Sequence, residues 1–211
     1  MSNKISRRTF LKCTGASAAA LGAAAMLSGC GSSTSDAIEV KVGDKVSNWN
    51  NLGVQLTSVF TMSTTPDLPD HEYVAVLITA VNRSGATTFN IGAQNLAELD
   101  AAYPLDNEAT KIDVARQYFH ALAASTTDFT ATCDGAEAEV GAYIQLYNAD
   151  AQSFSESTNL PPQGSGYIEL ICCVPTGWQK LSVTFVPTFV ANKSLTFALS
   201  FCRSEEHTSE L

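Results

Sequence analysis

The chain has 211 residues, of which 45% are hydrophobic, 16% charged and 9% aromatic, with a formal net charge of −9. That composition belongs to one globular domain with a sizeable core and excludes disorder, collagen and coiled coil. The charge is unevenly placed, because Lys4, Arg7, Arg8 and Lys12 all precede the first acid, Asp36, so the front end is a separate object.

That front end reads as an address. Ser6-Arg7-Arg8-Thr9-Phe10-Leu11-Lys12 is followed by an Ala/Gly-rich stretch from Ala16 to Leu27. The stretch has the length of a secretory h-region and is too short to span a bilayer, which takes about 20 apolar residues. The run resembles a twin-arginine (Tat) signal peptide, a resemblance carried by Arg7, Arg8, Phe10, Leu11 and Lys12. Leu27-Ser28-Gly29-Cys30 in turn resembles the lipobox of bacterial lipoproteins. The two together imply export through the Tat translocase, cleavage before Cys30 and diacylglycerol on the Cys30 sulfur. Acyl chains anchor firmly, since each buried CH₂ contributes roughly 0.8 kcal/mol. Residues 1–29 are then the signal, and 30–37 a lipidated linker whose Gly31-Ser32-Ser33-Thr34-Ser35-Asp36 composition is that of a flexible tether. The expected location is the extracytoplasmic face of the cell membrane, held by lipid.

Beyond the tether, residues 38–202 read as β. In 52–60, Leu52, Val54, Leu56 and Phe60 fall on one face and Gln55 and Thr57 on the other, a half-buried strand. Tyr73 to Val81 is apolar on both faces, as a strand covered on two sides would be, and Asn82-Arg83-Ser84-Gly85 ends it with turn chemistry. Further runs fall at 87–92, 95–101, 140–148, 166–174, 181–187 and 194–202, the last with Leu195, Phe197, Leu199 and Phe201 on one face. One helix interrupts them at about 111–123, where Thr110 and Asp113 have capping-box spacing and Val114, Tyr118, Ala121 and Leu122 share a face. Seven or more short strands separated by Gly, Pro and Asn predict a sandwich with that helix inserted.

The order of pieces is also familiar. Val40-Lys41-Val42-Gly43-Asp44, Leu52-Gly53-Val54, Tyr73-Val74-Ala75-Val76 running into Val81-Asn82-Arg83-Ser84, and Leu160-Pro161-Pro162-Gln163-Gly164 before Val174-Pro175 resemble the immunoglobulin-like domain of unknown function found in many bacterial lipoproteins. That group is similar in fold to the secreted immunoprotective extracellular antigen superfamily. The resemblance covers about 39–63, 70–101 and 158–200, while 105–157 departs from it. It implies an all-β, immunoglobulin-like antiparallel β-sandwich and offers no catalytic residues.

The chemical candidates are few. Export permits disulfides, and Cys133, Cys172, Cys173 and Cys202 are the cysteines of the domain besides Cys30. Cys172 and Cys173 point to opposite faces of one strand, so a bond between them is excluded and Cys133 paired with one of them is the preferred arrangement. Asp67, Asp70, His71 and Glu72 share one Pro-containing loop, and carboxylate oxygens suit Ca²⁺, yet neither EF-hand spacing nor a paired-His motif is present, so no metal or other cofactor is expected. A Ser/His/Asp triad would have to recruit His71 or His120, and neither lies near a G-x-S-x-G elbow. Trp49, Trp178, Tyr143, Tyr147 and Tyr167 are candidates for an aromatic binding surface, with core as the plainer role.

From Cys30 to Cys202 eighteen acidic side chains outnumber seven basic ones, which excludes charge-driven binding to nucleic acid. The final Arg203-Ser204-Glu205-Glu206-His207-Thr208-Ser209-Glu210-Leu211 resembles a translated sequencing adapter and is set aside as an artefact. The expected function is non-catalytic binding of another envelope protein or an extracellular ligand. The alternative is an exported metal-dependent or enzymatic module built on the 67–72 acidic loop. A solute-binding lipoprotein is disfavoured because the chain is short for two lobes and a cleft.

Overall fold

The twelve-residue strand His71–Asn82 (β4) sets the architecture, because both of its faces are covered. Val74, Val76, Ile78 and Ala80 face a large core, while Tyr73 and Ala75 face a second, smaller one on the other side. This is the two-sided burial that its unbroken apolar run predicts. The computed structural model describes residues 37–93, 111–148, 153–155 and 157–200, with side chains at 37–93, 116–146 and 157–200. The export signal and lipobox, the expected strand 95–101, Thr110, the Asp113, Val114 and Tyr147 side chains, Phe201, Cys202 and residues 203–211 lie outside that description.

In chain order the other elements are β1 (Ala37–Lys41), β2 (Lys45–Trp49), β3 (Leu52–Thr61), β5 (Phe89–Asn90), α1 (Lys111–Ser125), β6 (Phe129–Cys133), β7 (Ala136–Asn148), β8 (Ser153–Ser155), β9 (Asn159–Leu160), β10 (Ser165–Pro175), β11 (Lys180–Phe185) and β12 (Ser194–Ser200). The strand order is β1-β12-β11-β6-β7-β10-β4-β3-β2, with β8 beside β7 and a separate β5–β9 pair. β7 is shared by two sheets: Ala136, Glu137 and Ala138 pair with β6, and Glu139 onward pairs with β10. The two sheets fold face to face. Val183, Phe185, Leu195 and Phe197 of one meet Leu56, Ile78, Ile144 and Leu170 of the other in the main core. Each such side chain, fully buried, contributes roughly 1.5–3 kcal/mol. The result is an all-β sandwich with one inserted helix, as the strand count predicts. Adjacent strands run antiparallel except β1, which pairs in parallel with β12. The turn at Val42–Asp44, with Gly43 at φ 88° and the Asp44 carboxylate accepting from the Lys41 N–H at 3.0 Å, then carries the chain from one sheet to the opposite end of the other.

The face assignment of β3 is corrected by a bulge. Leu56 pairs with Ile78 but Ser58 pairs with Leu77, so Thr57 is an extra residue and the alternation inverts beyond it. Val59 therefore packs against the main core, and Phe60, expected beside Leu52, Val54 and Leu56, sits in the smaller one. The helix shows a similar rotation. Tyr118, Phe119 and Leu122 are buried and Ala121 only partly so, which adds Phe119 to the expected face. α1 also runs two residues past the expected end, where the Ser125 and Thr126 hydroxyls donate to the Ala121 and Leu122 carbonyls. No helix among the described residues is long and apolar enough to cross a membrane.

Candidate functional site

Strand registers assign the loops to two ends of the sandwich. Ala37 pairs with Ser194 at one end, together with Asn82, Ser165 and the 161–164 turn. At the opposite end Lys180 pairs with Ser200, and its N–H donates to the carboxylate of Asp134 in the β6–β7 turn. The β3–β4 loop closes the same end, with the Asp70 carbonyl accepting from the Thr176 N–H at 2.8 Å.

Histidine chemistry converges beside that second end. His120 projects from α1, its Nε2 3.2 Å from Oδ2 of Asp67 in the β3–β4 loop and its Nδ1 3.3 Å from Oε1 of Glu139 on β7. One turn back on the helix, Arg116 donates through Nε to the Thr65 carbonyl and through Nη2 to the Pro66 carbonyl, each at 3.0 Å. Below lie Tyr73 and Cys173, cross-strand partners on β4 and β10, and Cys173 also pairs with Glu139. The electrostatics follow from these contacts. Hydrogen bonding to Glu139, opposed by desolvation and reinforced by Asp67, holds the His120 imidazolium above its ordinary range. Hydrogen bonding to His120 holds the Asp67 carboxyl below the usual carboxylate value. Burial, with Glu139 and Asp67 nearby, pushes the Cys173 thiol up to about 11, and burial likewise raises the Tyr73 phenol. The Tyr73 hydroxyl is buried without a hydrogen-bond partner.

The 67–72 quartet does not converge. Asp67 engages His120, whereas His71 turns its Nδ1 to the Pro69 carbonyl at 2.8 Å, a bond two residues long. Among the described residues no group of three or more His, Cys, Asp or Glu side chains is arranged to hold a metal ion. The two carboxylates near His120 lie on opposite ring nitrogens, so one ion cannot take both and the imidazole.

The cysteines divide as the strand period requires. Cys172 faces the main core with Leu170 and Val174, and Cys173 faces the smaller one with Ile171. The expected pairing of Cys133 with one of them is not formed: Cys133, Cys172 and Cys173 are free thiols. Nor do the four described candidate aromatics make a surface. Trp49, Trp178 and Tyr143 are buried, and Tyr167 is the one at 38% exposure.

Glu139 and Arg116 escaped the sequence reading. Neither carries a local signal, since Glu139 sits in an alternating strand and Arg116 on a polar helix stretch. Their partners lie 19 and about 50 residues away, Glu139 meeting His120 where α1 docks on β7 and Arg116 meeting Pro66 where α1 meets the β3–β4 loop. The Asp134-Gly135 turn, by contrast, carries its hairpin signature in its own two residues.

No protein-family model and no curated protein matches the chain. Among solved structures, an uncharacterized beta-sandwich protein from Clostridium difficile 630 is similar at 8% identity, over 77% of this chain and 94% of that one, with a TM-score of 0.41.

Proposed function

We propose that this chain is a Tat-exported, lipid-anchored module of the extracytoplasmic membrane face that binds another envelope protein or an extracellular ligand without catalysis, and that it is an immunoglobulin-like domain of the lipoprotein type. The observation that carries the non-catalytic reading is how the reactive groups are committed. His120 is engaged at both ring nitrogens, by Asp67 of the β3–β4 loop and Glu139 of β7, one ring nitrogen of His71 is tied to the Pro69 carbonyl of that loop, and the half-buried Cys173 thiol is kept protonated. A hydrolase or transferase needs such groups turned toward a substrate.

The tether supports a direction for binding. Cys30 precedes Ala37 by seven residues, a reach of roughly 24 Å when extended, and Ala37 enters at the Ser194 end. The loops at 62–70, 134–135 and 176–179 then point away from the bilayer. The surplus of acidic side chains keeps the domain off anionic headgroups. Free thiols in the core fit a chain folded in a reducing compartment before export, which the twin-arginine route permits.

The test places a photo-cross-linking residue in cells at Leu68, which is 51% exposed on the outer loop, and separately at Asn192 near the Ala37 end. Discrete adducts from Leu68 and none from Asn192 support outward binding; equal labelling, or none from either, contradicts it. Cys30→Ser should move the protein from the membrane fraction to the soluble one, and retention would remove the lipid-anchor reading.

A further inference from the structure

We propose that the protein carries a proton-operated latch, in which the protonated ring of His120, bridging Asp67 on the β3–β4 loop to Glu139 on β7, holds that loop against the helix and releases its outer part when the ring gives up its proton to solvent. The geometry defines the charge state. Ionised carboxylates only accept hydrogen bonds, and here one faces each ring nitrogen, at 3.2 and 3.3 Å. Only the imidazolium has an N–H at both positions, whereas neutral imidazole would turn a lone pair toward one of the two carboxylates. Deprotonation therefore replaces an attraction by a repulsion at one end of the bridge.

The groups facing His120 from each packed element act in one direction or stay silent. Asp67 from the loop and Glu139 from β7 favour the imidazolium. Cys173 of β10 and Tyr73 of β4 remain neutral across the physiological range, because burial holds both protons on. Arg116, on His120's own helix, ties the Thr65 and Pro66 carbonyls, so the loop stays hinged at its base. The Asp70 carbonyl is likewise held by Thr176 at the far end, so the part that His120 controls is Asp67 to Pro69, with the half-exposed Leu68 at its tip. The sign follows from the two displaced groups. The His120 contribution is complete below 6.5 and is lost as pH rises through its raised folded value. The Asp67 contribution is complete above 3.8 and is lost as pH falls through its lowered one. The latch is thus shut between about 3.8 and 6.5 and opens on the alkaline side.

The experiment uses the full-length chain in detergent micelles, with the histidine rings and leucine amides isotopically labelled, in a His71→Asn background so that one ring of the described domain titrates. His120 should titrate above 6.5. Asp67→Asn combined with Glu139→Gln should return its midpoint to 6.5 or below. The Leu68 amide order parameter should fall from a rigid value at pH 5.5 to below about 0.6 at pH 9. His120→Gln, neutral throughout, should leave Leu68 mobile at both. A His120 midpoint at or below 6.5, or a Leu68 order parameter that does not change with pH, overturns the latch. Neither readout depends on whether the domain binds a partner.

Discussion

The side-chain amide of Asn82 donates to the carbonyl oxygen of Leu160 at 3.0 Å, joining segments 78 residues apart. The same nitrogen donates to the Thr87 carbonyl at 2.8 Å, and Oδ1 accepts from the Ser84 N–H at 2.9 Å, so a fully buried amide is satisfied at both atoms. Gln163 answers from the other side, donating through Nε2 to the Arg83 and Ser84 carbonyls. The Asn-Arg-Ser-Gly and Pro-Pro-Gln-Gly turns are therefore one interlocked unit rather than two separate stops. Asn82→Ala takes this partner from the buried Ser84 N–H and Leu160 carbonyl and from the part-buried Thr87 carbonyl, and should cost about 3 kcal/mol, read as a lowered denaturant midpoint. Asn82→Asp should be at least as damaging, because a carboxylate oxygen would face two carbonyls. A change below about 1 kcal/mol in either variant would mean that the turns hold by packing alone.

Gly141 on β7 is where the helix lands. A Cβ added there would lie 2.8 Å from Leu122 Cγ, closer than real Cβ atoms come. Gly141→Val should lift α1 from the sheet at a cost of about 1–3 kcal/mol, seen as raised amide exchange along Lys111–Ser125. Leu122→Ala, itself destabilising by about 2–4 kcal/mol, should partly absorb a Gly141→Ala change. Strict additivity of the two would show that the helix does not rest on this glycine.

The β6–β7 connection is a two-residue hairpin with Asp134 at φ 49° and Gly135 at φ 87°, the geometry of a type I′ turn. The Asp134 carboxylate also accepts from the Gln179 and Lys180 N–H groups. Gly135→Ala should cost about 1–2 kcal/mol from backbone strain alone. Asp134→Ala should cost a similar amount through two orphaned donors, with Asp134→Asn intermediate because it keeps the turn preference and one acceptor. Thermal midpoints in that order check the assignment.

These contacts show what the sequence makes legible. The apolar run of β4, the alternation of β12 and the capture of Cys172 and Cys173 on opposite faces all follow from a period of two, which is local. The main misassignment, Phe60, comes from a one-residue bulge at Thr57, and inserting one residue inverts every face beyond it without leaving a mark in the composition. The His120 cluster was hidden for a different reason. Its three ligand-like groups come from a loop, a helix and a strand, and the loop residue that does engage, Asp67, looks no different from Asp70, which does not.

The three described thiols provide a separate prediction. Burial holds Cys173 at about 11 against an ordinary 9.0, so at pH 8 its thiolate fraction is roughly a hundredfold below that of an exposed cysteine. Its alkylation should be slower by about that factor and should climb tenfold per pH unit toward 11. Cys172, wholly buried, and Cys133, buried in the same core, should be modified only when the domain unfolds. Because the folded state holds these protons more tightly than the unfolded chain, the thiols stabilise the fold below 9.0 and that contribution is lost as pH rises through the folded values. Peptide mapping of a timed alkylation, residue by residue, checks the order. If Cys133 and Cys172 stay unmodified even in denaturant, they are joined in the exported protein, and oxidation follows folding rather than being forestalled by it.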